Sequence, residues 1–179
     1  MLKILLFLVA ALVVVVIVTV VVGYLLPEKH VSARVIEVRQ KPEVVFALIS
    51  DFAGAPSWRS DVKRVEILSE QNGRARYREE GDNGTLTMEV TELRSPERMV
   101  TEIADKNLPF GGRWIFEIFP TSQGCRLNIT ERGEIYNPVF RVVSRFFLGY
   151  THTLDAYLKN LARKFGESTS PEEGTVAHS

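Results

Sequence analysis

Residues 31–52 read VSARVIEVRQKPEVVFALISDF, and the change of period inside them decides the fold. Val31, Ala33 and Val35 alternate with polar neighbours, the pattern of a half-buried strand running to Arg39. Lys41-Pro42-Glu43 then opens a helix. Proline is tolerated in the first turn, where its missing N–H is needed by nothing, and an acid there suits the helix dipole. Val44, Val45, Leu48 and Ile49 keep helical spacing to Ser50. The next stretch, Asp51 to Trp58 (DFAGAPSW), is rich in turn residues and reads as a second short helix.

Downstream the character changes to strands. Val62–Ser69, Arg74–Gly81, Thr85–Arg94, Met99–Lys106, Arg113–Pro120 and Arg126–Tyr136 are six segments separated by turn signals. Asn72-Gly73 and Asn83-Gly84 are the strongest of these signals, because both turn residues must accept positive φ. Short connections throughout predict an antiparallel meander. Asn137-Pro138 then caps and starts a helix. Its stripe of Phe140, Val143, Phe147, Thr151, Leu154, Leu158, Leu161 and Phe165 predicts one long rod ending at Gly166. Residues 168–179 are small and polar and are expected to be a disordered tail.

The resulting class is α+β, in the order strand, two helices, six strands, long helix. About seven antiparallel strands form a curved sheet wrapped on the C-terminal helix, because the sheet's apolar face needs a cover. A straight rod and a curved sheet diverge at their ends, leaving a gap where function would sit.

Upstream, Ile4–Val22 is apolar throughout apart from Thr19, and Gly23-Tyr24-Leu25-Leu26 leads to a stop at Pro27-Glu28-Lys29. At 1.5 Å per residue, about 19 to 23 residues reach roughly the 30 Å of a bilayer's hydrocarbon core. Tyr24 falls where an interfacial aromatic belongs. Residues 1–27 are therefore read as an uncleaved transmembrane anchor, and residues 28–167 as the folded domain. A cleavable signal peptide is the rival reading. It wants an apolar core of about 7 to 15 residues and a small-x-small cleavage site, and Gly23 to Pro27 offers none. Lys3 stands before the span and Lys29, Arg34, Arg39 and Lys41 after it, so basic residues leave the side of the membrane open.

Lys+Arg and Asp+Glu are balanced at 22 each. With no basic stripe interleaved with aromatics, nucleic acid is excluded as the expected partner. No polybasic block for anionic head groups adjoins the span either. A single cysteine, Cys125, excludes an intramolecular disulfide.

With the element order, Lys41-Pro42-Glu43-Val44-Val45-Phe46, the run from Phe52 through Trp58-Arg59-Ser60-Asp61-Val62, the turn Pro109-Phe110-Gly111-Gly112-Arg113-Trp114 and the final amphipathic helix in place, the chain resembles the START-like, or Bet v 1-like (SRPBCC), helix-grip superfamily. Within it, the likeness is to the polyketide cyclase/dehydrase and lipid-transport branch, over about Val31 to Glu167. That resemblance implies a fold holding hydrophobic ligands between sheet and helix, with enzymes a minority.

No catalytic set is visible in the residues. His30, His152 and His178 are scattered over the membrane edge, the last helix and the tail, with neither metal-ligand spacing nor a triad. Gly111-Gly112 joins two strands and is no phosphate cradle. No metal or cofactor is expected. Strand parity is more informative. Trp114, Phe116 and Ile118 share one face, Leu127 and Ile129 share one with Glu131, and Ala75 and Tyr77 share one with Glu79. Glu79 and Glu131 are thus aimed at the interior or its rim, where a carboxylate needs an arginine partner, water or a ligand. The expected ligand contacts are Trp58, Tyr77, Met88, Trp114, Phe116, Glu131, Phe147, Thr151 and Leu154, with Thr151 leaving room midway along the helix. Two functions compete: a membrane-tethered module binding or transferring a hydrophobic small molecule or lipid, and a cyclase- or dehydrase-type enzyme on a hydrophobic substrate. A filled core serving protein interaction is the third.

Overall fold

The structure, a computed structural model, describes residues 2–82 and 84–177. Asn83 of the second hairpin turn and His178 lie outside the described residues. The chain opens with α1 (Leu2–Leu25), followed by β1 (Lys29–Val38), α2 (Pro42–Ser50) and a 3-10 turn at Ala55–Ser57. Six strands follow: β2 (Val62–Gln71), β3 (Arg74–Gly81), β4 (Gly84–Arg94), β5 (Arg98–Ile103), β6 (Phe110–Pro120) and β7 (Cys125–Ile135). With β1 and the short β8 (Glu172–Glu173) they form one eight-stranded antiparallel sheet in the order β2-β3-β4-β5-β6-β7-β1-β8, in which β1 returns to pair with β7.

At the first hairpin, Asn72 and Gly73 take φ of 54° and 75°, the positive values that the dipeptide was selected for. The inner face of the sheet is closed by the last helix, α4 (His152–Lys164). Leu154, Leu158 and Leu161 recur at steps of four and three and are fully buried on Ile36, Met99, Leu127 and Ile129. Each such leucine contributes about 1.5–3 kcal/mol by leaving water. Val45, Phe46 and Ile49 of α2 close the same core from the side.

The last helix departs from the single rod that its stripe predicts. It begins as α3 (Pro138–Val143), capped by the Asn137 side chain, which accepts the N–H groups of Val139 and Phe140. A π turn follows at Ser144–Leu148, closed by the Gly149 N–H donating to the Ser144 carbonyl at 3.0 Å. Gly149 then takes φ of 74°, which ends the helix just as a C′ glycine does, and α4 restarts at His152.

The tail is a second correction. Instead of being disordered, residues 168–177 cross the sheet. Glu172–Glu173 form β8 against Arg34 and Val35 of β1. Asn128 exchanges two hydrogen bonds with the Thr175 backbone, and Thr130 accepts the Ala177 N–H. These polar residues stand on the outer face of β7, so a mostly polar tail still finds partners for its backbone. Ala177 is buried there beside Val100 and Ile115.

α1 is the one helix among the described residues that is long and apolar enough to cross a membrane. Its side chains are exposed up to Val18, while Thr19, Val20, Val22 and Gly23 are partly or fully covered. The cover is α3, which packs on it. A Cβ at Gly23 would run into the Pro138 backbone, so glycine permits that approach. Buried Arg141 fastens the junction, donating to the Ile135 carbonyl at 2.6 Å, to Glu28 Oε2 at 3.0 Å and to the Gly23 carbonyl at 3.4 Å.

Candidate functional site

Between the sheet's inner face and the broken helix lies a cavity of about 570 Å³. Aromatic rings cluster in one part of its wall. Tyr157 of α4 stands at the centre, edge-on to Trp58 at 5.2 Å and to Trp114 at 5.6 Å between ring centroids, with Phe116 at 5.7 Å. Phe52 stacks on Tyr77 at 4.3 Å. Edge-to-face and offset pairs of this kind each add about 0.5–1.5 kcal/mol beyond area burial and hold rings in fixed positions. Burial pushes the phenols of Tyr77 and Tyr157 well above their ordinary range, so both stay protonated.

One part of the wall is ionic and satisfied. Arg59, just after the 3-10 turn, forks onto Glu79 of β3 at 2.8 and 3.1 Å and onto Asp61. Its guanidinium also lies 5.2 Å from the Tyr157 ring centre. Asn160 of α4 donates to Asp61 and accepts from Ser60 and Arg163, tying helix, loop and sheet together.

The other polar part is unsatisfied. Glu131 of β7 faces the cavity, and Trp114 stands directly opposite it on β6. Burial pushes its carboxyl up to about 7, offset in part by the Trp114 indole N–H that hydrogen-bonds it. Its nearest titratable neighbour is His30, at the start of β1, with Nε2 at 4.0 Å from Oε1. Burial lowers the pKa of His30, whose ring stacks on Tyr150 at 4.2 Å. Glu131 Oε2, His30 Nδ1 and the Trp58 indole Nε1 are buried without a protein partner. Near neutral pH the pair therefore offers a carboxyl able to donate and a neutral imidazole, both suited to a neutral polar group.

Of the residues singled out from sequence, Trp58, Tyr77, Met88, Trp114, Phe116 and Glu131 line this cavity. Three do not. Phe147 is 79% exposed, because the π turn swings it off the stripe. Thr151 is the N-cap position of α4, not its midpoint. Leu154 is fully buried in the close-packed core. His30, Arg59, Tyr150 and Tyr157 also line the wall, although none of them is among the ligand contacts expected from sequence. For His30 the available signal was parity. His30, Ser32, Arg34, Ile36 and Val38 are the inner face of β1, and Ser32 and Arg34 bond the Tyr150 carbonyl and Asp155. The glycines Gly111 and Gly112 do not join two strands: they line the cavity from within β6, paired with Glu134 and Gly133 of β7. Among the described residues no group of three or more His, Cys, Asp or Glu is placed to hold a metal ion.

Comparison with known proteins agrees with this architecture. The family model described as "Polyketide cyclase / dehydrase and lipid transport" matches residues 29–166. A START superfamily protein from Mycobacterium smegmatis superposes with a TM-score of 0.62 at 20% identity, covering 75% of this chain and 96% of that one. A conserved protein from Geobacillus kaustophilus gives 0.65 at 16% identity, over 80% of this chain and 100% of that one. The Zhui aromatase/cyclase from Streptomyces sp. R1128 gives 0.60 at 15%, over 76% and 96%. At these identities the likeness is one of fold. No curated protein sequence matches the chain. With β1 through α4 accounted for by one family model and the helix-grip architecture in place around the cavity, the chain belongs to the polyketide cyclase/dehydrase and lipid-transport family.

Proposed function

We propose that this protein is a membrane-anchored binding or transfer module for a hydrophobic small molecule or lipid. The observation that carries the reading is the cavity itself: an aromatic space between sheet and α4 with three buried polar atoms left without protein partners on its wall. An apolar body would fill the aromatic part. Its polar end, a hydroxyl or a protonated carboxyl, would take up Glu131 and His30. α1 would supply the anchor, since its apolar side chains are exposed up to Val18.

One observation favours a second reading. A carboxyl titrating near 7 and 4.0 Å from an imidazole is suited to general acid–base work on a hydrophobic substrate, as in a cyclase or dehydrase.

The test is to purify the full chain in detergent, identify co-purified molecules by native mass spectrometry, and titrate a fluorescent fatty-acid probe. Saturable binding that is lost in Met88→Trp, which fills the cavity, supports the binding module. No bound molecule, no probe binding and an unchanged thermal midpoint on lipid addition would falsify it.

A further inference from the structure

Between β7 and α4 the chain carries an exposed apolar ridge that nothing among the described residues covers. Phe146 and Phe147 are 63% and 79% exposed, and Val139 and Phe140 continue the ridge along α3. Single exposed apolar residues need no explanation, but four within nine residues form a patch. Arg145, also exposed, stands in the same turn.

Two features say what meets this ridge. Its base is fastened to α1: Pro138 seats on Gly23, and Arg141 holds the Gly23 carbonyl. The half-covered residues Thr19 to Gly23 are the end of the apolar run, the level at which a spanning helix leaves the hydrocarbon. Phe147 is nine residues beyond Pro138, at most about 14 Å of helix. An α1 that spans a bilayer therefore brings the ridge to its surface, and the three-way Arg141 clamp keeps it there. The second feature is the cavity mouth. Phe140, Ser144, Gly149 and Tyr150, from the same segment, line the cavity, and the exposure of Phe140 and Gly149 puts them where it opens. The rim of the opening and the foot of the ridge are one piece of chain.

We propose that the Val139–Phe147 ridge inserts into the interfacial layer of the bilayer that α1 anchors, so that the cavity mouth opens onto lipid and an apolar ligand enters sideways from that leaflet. The inference rests on the membrane-anchored ligand-binding reading above. Moving an acyl chain through water exposes every CH₂ to solvent at a free-energy cost, and a mouth set against the bilayer removes that barrier. The aromatic pair Phe146 and Phe147 supplies apolar area, and Arg145 is placed for phosphate oxygens of the head groups.

The experiment uses the full chain in phosphatidylcholine vesicles with brominated acyl chains. Phe146→Trp and Phe147→Trp add reporters at the ridge, and Ile67→Trp on β2 is the control. The added emission at both ridge positions is expected to fall at least twofold relative to unbrominated vesicles, with Ile67→Trp unchanged. In a second measurement, the Phe146→Ser/Phe147→Ser double variant, still anchored, should take up a pyrene fatty acid from vesicles at least tenfold more slowly. Its affinity for the same probe in detergent micelles should be unchanged. Ridge indoles quenched no more than the control, or shielded from bromolipid by a dimer seen in native mass spectra, overturn the proposal. So does uptake at the parent rate by the double variant. A parent that binds no probe in micelles defeats the ligand-binding reading instead, while bromolipid quenching still decides where the ridge lies.

Discussion

Glu79 on β3 and Glu131 on β7 both project from the inner face of one sheet, and their neighbours separate them. Glu79 meets a guanidinium that forks onto both its oxygens and is itself braced by Asp61 and the face of Tyr157. Glu131 meets a tryptophan N–H, a neutral imidazole at 4.0 Å and the cavity. The first carboxylate is part of the framework, holding β3 to the loop before β2. The second holds its proton up to about pH 7, because burial outweighs the single indole hydrogen bond that favours its charged form. A satisfied buried charge fixes a fold. An unsatisfied one marks where the fold waits for something else.

The comparison can be broken most forcefully at Arg59. Arg59→Met leaves Glu79 and Asp61 facing a low-dielectric wall with no cation, and should cost about 3–5 kcal/mol of unfolding free energy. Chemical denaturation at pH 7 measures it, and part of the loss should return at pH 5 as the stranded carboxylates take up protons. A loss below about 1 kcal/mol would show that water already balances Glu79.

Glu131→Gln should act in the opposite direction. Unfolded, the carboxyl titrates near 4.5; folded, at about 7. Below 4.5 both states hold the proton and the group is neutral for stability. Between these values the unfolded chain releases the proton and the folded one keeps it, so stability falls as pH rises, levelling off above 7. At about 1.4 kcal/mol per unit the total is on the order of 3 kcal/mol. The glutamine variant should therefore match the parent at pH 4.5 and exceed it at pH 8. His30 contributes the reverse slope, since its lowered pKa makes the fold lose stability as pH drops through 6.5. That slope survives in the variant, and a variant less stable than the parent at pH 8 contradicts the assignment.

Trp114→Phe sharpens the same contrast with a smaller effect. It removes the one hydrogen bond that favours the charged form of Glu131, so the titration midpoint, followed by NMR of labelled glutamate, should move upward from about 7. A downward move would mean that the indole shields the carboxyl from water more than it bonds it. The smallest effect belongs to Phe147→Ala. Its side chain is exposed, so thermal unfolding in detergent should shift by less than about 0.5 kcal/mol.

The strands were legible because their turns are. Asn72-Gly73, Ser95-Pro96 and Ser122-Gln123-Gly124 each break an alternating run, and β3 and the interior of β6 fall where alternation puts them. The inward aim of Glu79 and Glu131 was legible for the same reason. What parity could not supply was the partner: Arg59 reaches Glu79 from a loop 20 residues earlier. β1 misled because its outer residues Val31, Ala33 and Val35 are apolar, while its inner face begins with His30, Ser32 and Arg34. Those polar residues are inward because they bond the helix side of the cavity, a tertiary reason with no local signature. In the last helix only the second half keeps its stripe inward, at Leu154, Leu158 and Leu161, because Gly149 carries the same positive-φ stop as Gly166 although the apolar spacing continues beyond it.

The tail has a consequence for the sheet's edges. A strand with unpaired N–H and C=O groups recruits other strands, and proteins blunt such edges with charge or cover. β2, at one end of the order, carries Lys63, Arg64, Glu66 and Glu70. β1 would be the other end, and what caps it is β8 with the Gly174 N–H on the Ala33 carbonyl. A chain ending at Gly166 would keep every cavity residue and still lose that cap, along with the partners of Asn128 and Thr130. Its hazard would be self-association along β1, visible as concentration-dependent sedimentation, before any defect in the cavity could be seen.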